Sequence, residues 1–121
     1  MLDDEVEVAE LVAEVLSRDG HDVAVAHSGA EGLSRISERD FDIVLSDFRM
    51  PNIDGQGLFN ELERSRPDMI RRLGFMTGDK LSADVSASLQ RAGRPHIEKP
   101  ILPDDLRDLI RRVIDDGGRK P

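Results

Sequence analysis

The chain has 121 residues, a formal net charge of −8 and no cysteine, which is the size of one ordinary domain and excludes disulfides, zinc–thiolate sites and thiol nucleophiles. No apolar run approaches the ~20 residues of a membrane span and nothing resembles a signal peptide, so a cytoplasmic protein without a membrane partner is expected. The acidic balance, with four Phe and neither Tyr nor Trp, argues against direct nucleic-acid binding.

Met1-Leu2 meets an acidic pair, Asp3-Asp4. Two apolar residues are too few for a useful strand. From Glu5 to Arg18, apolar residues fall at Val6, Ala9, Ala13 and Leu16, with a second stripe at Val8, Val12 and Val15. That spacing predicts a helix with a broad buried face. Asp3 or Asp4 is placed to cap it, and Gly20 to stop it. Val23 to Ala26 reads as a short buried strand. Ser28 is an N-cap candidate for a helix carrying Ala30, Leu33 and Ile36. Phe41 to Leu45 is strand again and delivers Asp47 to a loop.

Gly55 and Gly57 open a helix with Leu58, Phe59 and Leu62 that stops before Pro67. Leu73 to Met76 is a strand ending at Thr77-Gly78-Asp79. A helix with Leu81, Val85, Leu89 and Ala92 follows, closed by Gly93. Pro95-His96-Ile97 is a minimal strand ahead of Glu98-Lys99-Pro100. Pro103 and Asp104 start the last helix, with Leu106, Leu109, Ile110 and Val113 on one face. Residues 115–121 read as a polar tail. There is no linker, repeat or low-complexity segment, so residues 1–121 are expected to form one domain.

The order is (β)αβαβαβαβα, which means a parallel sheet covered on both faces by right-handed crossovers. Asp3-Asp4, Asp47, Thr77 and Lys99 each follow a predicted strand. In a parallel sheet all strand C-termini lie along one edge, where ligands bind. Taken singly, each residue has an ordinary reading: Asp3 and Asp4 as caps, Asp47 as a turn former, Thr77 in a strand-to-loop turn, Lys99 as a solvated lysine. His21 and His27 read as surface residues flanking a strand, and Arg71-Arg72 and Arg111-Arg112 as solvated faces.

Together the set has a chemistry. Three carboxylates without histidine or cysteine form a hard oxygen site suited to Mg²⁺. A lysine offers a phosphate a point positive charge, and a threonine hydroxyl offers one hydrogen bond. A carboxylate nucleophile can form an aspartyl phosphate. Phosphoryl transfer needs in-line positioning and neutralised oxygens more than acid–base groups.

In this company the sequence resembles a receiver domain, the phosphorylatable module of two-component response regulators, from Leu2 to about Ile114. The resemblance rests on Leu2-Asp3-Asp4-Glu5, on Leu45-Ser46-Asp47-Phe48-Arg49-Met50-Pro51 with Asp54-Gly55, on Met76-Thr77-Gly78, on Ala92-Gly93 and on Glu98-Lys99-Pro100. It implies an α/β, flavodoxin-like doubly wound fold with strand order 2-1-3-4-5. It implies Asp47 as phosphoacceptor and a Mg²⁺ site from Asp3, Asp4, Asp47 and the backbone carbonyl of Arg49, with Asp4 more direct and Asp3 acting through water. Thr77 and Lys99 would meet the phosphoryl group, and the Lys99-Pro100 bond would be cis. Arg49 and Asp79 sit where the family tunes dephosphorylation. The implied donor is a phosphohistidine on a histidine kinase or histidine phosphotransfer protein. The surface of the fourth helix, fifth strand and fifth helix would carry the signal, and a weak homodimer is compatible with it.

Two positions depart from the family pattern. Only Met1 and Leu2 precede the acidic pair, so the start is placed late, the chain is cut, or the central strand is this short; a clipped strand would loosen Asp3 and Asp4. The aromatic switch position holds His96, which can swing in or out. The segments Phe75 to Asp79 and Gly93 to Pro100 resemble receivers of hybrid sensor histidine kinases more than those fused to DNA-binding domains. Two other classes stand beside the switch: a pseudo-receiver interaction module with a dead site, supported by the short first strand, and an aspartate-dependent phosphohydrolase, opposed by Arg49 where those enzymes carry a second acid.

Overall fold

Leu2 is the stitch at the centre of the sheet. Its N–H donates to the Leu45 carbonyl at 2.7 Å and its carbonyl accepts from Asp47 N–H at 2.8 Å, while Ala26 N–H donates to Met1 O at 2.8 Å on the other side. The computed structural model describes residues 1–49, 53–78 and 83–118. Its elements are α1 (Val6–Arg18), α2 (Gly29–Glu38), β1 (Val44–Asp47), α3 (Gly55–Ser65), a 3₁₀ turn (Pro67–Arg72), β2 (Leu73–Thr77), α4 (Ala83–Ala92), β3 (His96–Glu98) and α5 (Pro103–Gly118). The three strands run parallel in the order β1-β2-β3. Leu2 adds parallel bridges to Ser46 on one side and Ala26 on the other.

Two apolar layers enclose this sheet, as the two-residue period of a strand requires. Val44 and Phe75 join Leu58, Leu62, Met69 and Leu89 on one face. Leu45 and Met76 join Val12, Leu16, Leu106, Leu109 and Val113 on the other. β1 and β2 are buried at every position, the signature of a parallel sheet covered on both sides. This is the expected flavodoxin-like α/β class.

Several expected boundaries move. The strand predicted over Val23–Ala26 shrinks to one bridge at Ala26, and Val23 to Val25 are only half-buried. A partner segment of two residues cannot support a longer ladder. The strand predicted from Phe41 begins at Val44 and runs through Asp47. The 3₁₀ turn after Pro67 was not anticipated; Arg66 anchors it, donating to Ile36 O at 2.8 Å and pairing with Asp40 and Asp68. The expected polar tail is partly helical, because α5 continues to Gly118. Val6, placed on the buried stripe of α1, is 48 % exposed, whereas Ala9, Val12 and Leu16 are buried. The cap of α1 is Glu5, whose side chain makes no capping hydrogen bond; Asp3 instead accepts the Glu5 N–H at 2.9 Å. Leu81, assigned to the fourth helix, lies outside the described residues.

The cap expected at α2 forms, and α3 has one that was not anticipated. Ser28 accepts from Glu31 N–H at 3.1 Å, and Asp54 accepts from Gly57 N–H at 2.9 Å. Gly20 and Gly93 follow α1 and α4 with φ of 93° and 65°, the left-handed stop that glycine adopts without strain. Gly55 serves a different need. A Cβ there would meet Phe48 Cδ1 at 2.4 Å and Phe48 Cα at 3.0 Å. Phe48 has no room to yield, since it stands edge-on to Phe75 with ring centroids 5.0 Å apart. Gly55→Ala is therefore expected to cost about 1–3 kcal/mol. Urea unfolding would show a lower midpoint at unchanged slope; a midpoint equal to the parent's would show that the loop adjusts freely.

Candidate functional site

The strand ends bring the acidic residues together. Asp3 follows Leu2, and its N–H donates to Ala26 O at 3.1 Å. Asp47 closes β1, in register with Met76 on β2, and Thr77 pairs with Glu98 on β3. Lys99 N–H donates to Thr77 O at 2.7 Å, which swings the lysine back over the strand ends. The Lys99-Pro100 bond is cis, as expected. Asp3 is fully buried (0 % exposed) and Asp47 nearly so (4 %), while Asp4 is exposed at the rim. One carboxylate oxygen from each of the three lies within 4.8 Å of the others.

Lys99 Nζ stands among these charges. It lies 3.1 Å from Asp3 Oδ2, 3.1 Å from Glu5 Oε1 and 3.3 Å from Asp47 Oδ2. Burial works against the ammonium, but the charges of Asp47 and Asp3 and the hydrogen bond to Glu5 outweigh it and hold its pKa above the usual lysine range. The Asp3 contact is close but poorly aligned: Asp3 Oδ2 is buried without a directed hydrogen bond among the described residues. An orphaned carboxylate oxygen in an all-oxygen cluster suits a hard divalent cation, so the residues fit Mg²⁺.

The remaining expected residues take these places. Thr77 is buried at the end of β2 and its hydroxyl donates to Ile97 O at 3.4 Å, a long bond. His96 opens β3, half-buried, and its carbonyl accepts from Arg112 at 3.3 Å. Arg49 is exposed and its backbone N–H donates to the Asp47 carboxylate. Asp79 lies outside the described residues. Asp3 is held despite the short first segment, because both its backbone and its carboxylate are hydrogen-bonded. Sequence reasoning missed Glu5 as a lysine partner. The only signal was a third acid in the Asp3-Asp4-Glu5 run, and an exposed acid at a helix start is ordinary. His27, read as a surface residue, also touches the site, with Nδ1 3.2 Å from Asp3 O. A cavity of about 250 Å³ lies among Met1, Val23 and Ile43, which precede the bridged or paired positions, and holds none of this chemistry.

Burial pushes the Asp47 carboxyl up to about 6; the Asp3 charge adds to the rise, while Lys99 and the Arg49 N–H oppose it. The folded chain thus binds this proton more tightly than an unfolded chain titrating near 3.8. The stabilisation from that proton is complete below the unfolded value and is lost as pH rises through about 6. Asp47→Asn should therefore melt higher than the parent at pH 7.5 without metal, by about 1–2 kcal/mol after solvent screening. The gap should close by about pH 4. A gap independent of pH would show that Asp47 carries no buried charge.

The comparisons with known proteins identify the family. Residues 1–111 match the family described as the response regulator receiver domain, and the chain belongs to it. Among curated relatives, the transcriptional regulatory protein GlrR of Escherichia coli is 31 % identical over 117 residues, covering 97 % of this chain and 25 % of that protein. The transcriptional regulatory protein ZraR of Salmonella typhimurium is 26 % identical over 114 residues, covering 94 % and 25 %. The chain thus spans about a quarter of the length of these relatives. Among solved structures, a CheY-like receiver domain protein from Methanospirillum hungatei superposes with a TM-score of 0.85 at 28 % identity, covering 97 % of this chain and 92 % of that one. The receiver domain of NtrX from Brucella abortus gives 0.83 at 28 %, covering 94 % and 95 %. The curated relatives named here are transcriptional regulators, and the likeness to receivers of hybrid sensor kinases finds no support among them.

Proposed function

We propose that this chain is a phosphoacceptor switch in which Asp47 takes a phosphoryl group from a phosphohistidine on a histidine kinase or histidine phosphotransfer protein. The observation that carries this reading is the Lys99 ammonium 3.3 Å from a buried Asp47 carboxylate, itself beside Asp3 and Asp4. Asp3, Asp4, Asp47 and the Arg49 carbonyl would hold Mg²⁺, which when bound neutralises phosphoryl oxygens. Asp47 supplies a carboxylate lone pair to phosphorus, an O–P bond forms, and the P–N bond breaks with its electrons returning to the imidazole. Lys99 balances the charge left on the aspartyl phosphate.

The switch follows from hydrogen bonds that are easy to exchange. The Thr77 hydroxyl leaves its long bond to Ile97 O for a phosphoryl oxygen. Movement there is felt along β3, where His96 lies, and hence on the surface of α4, β3 and α5. In a longer protein like its relatives, that surface would address an output domain. Arg49 and Asp79 are proposed to tune loss of the phosphoryl group by water. The intact charge cluster favours this reading over a dead-site interaction module, and Arg49 opposes a phosphohydrolase.

The test is labelling with acetyl phosphate and Mg²⁺, followed by intact-mass measurement. One phosphoryl group per parent chain and none on Asp47→Asn is expected. Full labelling of that variant would overturn the assignment.

A further inference from the structure

We propose that Glu5 is a positioning residue that restrains phosphoryl transfer by occupying Lys99, and that Lys99 must exchange the Glu5 carboxylate for a phosphoryl oxygen as Asp47 is modified. This rests on Asp47 as phosphoacceptor. An ammonium has three N–H donors, and Lys99 Nζ has three carboxylate neighbours: Asp3 at 3.1 Å, Glu5 at 3.1 Å and Asp47 at 3.3 Å. Glu5 and Asp47 accept directed hydrogen bonds and Asp3 is a close but poorly aligned ion pair, so the ammonium is enclosed by carboxylates and an incoming phosphoryl group has to displace one of these contacts.

Burial decides which. The Asp3 and Asp47 side chains are 0 % and 6 % exposed, and the Glu5 side chain is 61 % exposed. Parting a lysine from a buried carboxylate strands a charge in a low-dielectric site, whereas water replaces the lysine at an exposed one. Glu5 is thus the partner released at least cost. Its place is not accidental, because its N–H is fixed to Asp3 Oδ1 at 2.9 Å. That hydrogen bond holds the Glu5 backbone beside the pocket, so reach to Lys99 depends on side-chain length. The Glu5 carboxylate also adds to the negative field met by an anionic donor.

In the labelling step with acetyl phosphate, an Asp47 oxygen forms the new O–P bond, the acyl O–P bond breaks, and acetate leaves with that electron pair. No net proton is needed. The experiment compares initial rates for the parent, Glu5→Gln and Glu5→Asp at saturating Mg²⁺, with final stoichiometry and melting temperature recorded. Glu5→Gln removes charge and weakens the contact. Glu5→Asp keeps the charge but ends one methylene short of Lys99. The expected result is about a threefold to tenfold faster rate for Glu5→Gln, a clearly faster rate for Glu5→Asp, and unchanged stoichiometry and melting. In the unlabelled protein, the Lys99 Cε resonance should shift in both variants. Equal rates in all three proteins overturn the proposal, as does a slower Glu5→Gln. A Glu5→Asp rate equal to the parent's beside a faster Glu5→Gln also overturns it, since the field alone would then act. An unlabelled parent, or a labelled Asp47→Asn, sinks the phosphoacceptor reading instead.

Discussion

Lys99→Met should lower stability by about 2–3 kcal/mol at pH 7.5 without divalent metal, and most of the loss should disappear by about pH 5. Methionine keeps the apolar stem, so the change isolates the charge. Without the ammonium, Asp3 and Asp47 remain as two buried like charges whose oxygens lie within 4.8 Å of each other. Breaking a buried pair is costly because the remaining charge has lost its counter-ion. The loss stays at the lower end because Asp47, already raised to about 6, can escape by taking a proton. That escape gives the loss its sign with pH: it grows as pH rises through the Asp47 titration and fades as pH falls. Urea unfolding at several pH values measures it. A Lys99→Met variant as stable as the parent at pH 7.5 would show that the two carboxylates do not interact.

Leu2→Ala is expected to have a comparable effect, about 2–4 kcal/mol, for a different reason. Leu2 is 3 % exposed and packs so closely on α2 that a Cβ at Gly32 would meet its Cδ2 at 2.0 Å. The cavity left by truncation would lie at the base of the acidic pair. Leu2 also carries the only bridges that join the Ala26 segment to β1 among the described residues. Loosening it should reduce labelling of Asp47 as well as lower the unfolding midpoint. Leu2→Met, which conserves volume, should cost less than about 1.5 kcal/mol. Loss of stability in Leu2→Ala with labelling unchanged would separate the packing of Leu2 from the placement of Asp3 and Asp4.

The helices were legible because their signals are local. Ser28 caps where expected, Gly20 and Gly93 end α1 and α4, and the 3.6-residue period picked out Leu106, Leu109 and Val113. The edge segment was misjudged because Val23 to Ala26 has the composition of a strand but a partner only long enough for one bridge. Strand length is set by pairing, which no local pattern records. Val6 failed similarly: its place on a stripe does not say whether a neighbouring helix covers it.

The sequence alone determined that Asp3, Asp4, Asp47, Thr77 and Lys99 collect at one edge, since each follows a strand and parallel strands end together. Their chemical types also determined that the site is a hard oxygen cluster with one cation. Only the tertiary structure decided how that cation is shared. Lys99 lies among Asp3, Glu5 and Asp47, and Thr77 turns to Ile97. Contacts between groups distant in sequence depend on side-chain reach and burial, which the folded packing sets and spacing along the chain does not encode.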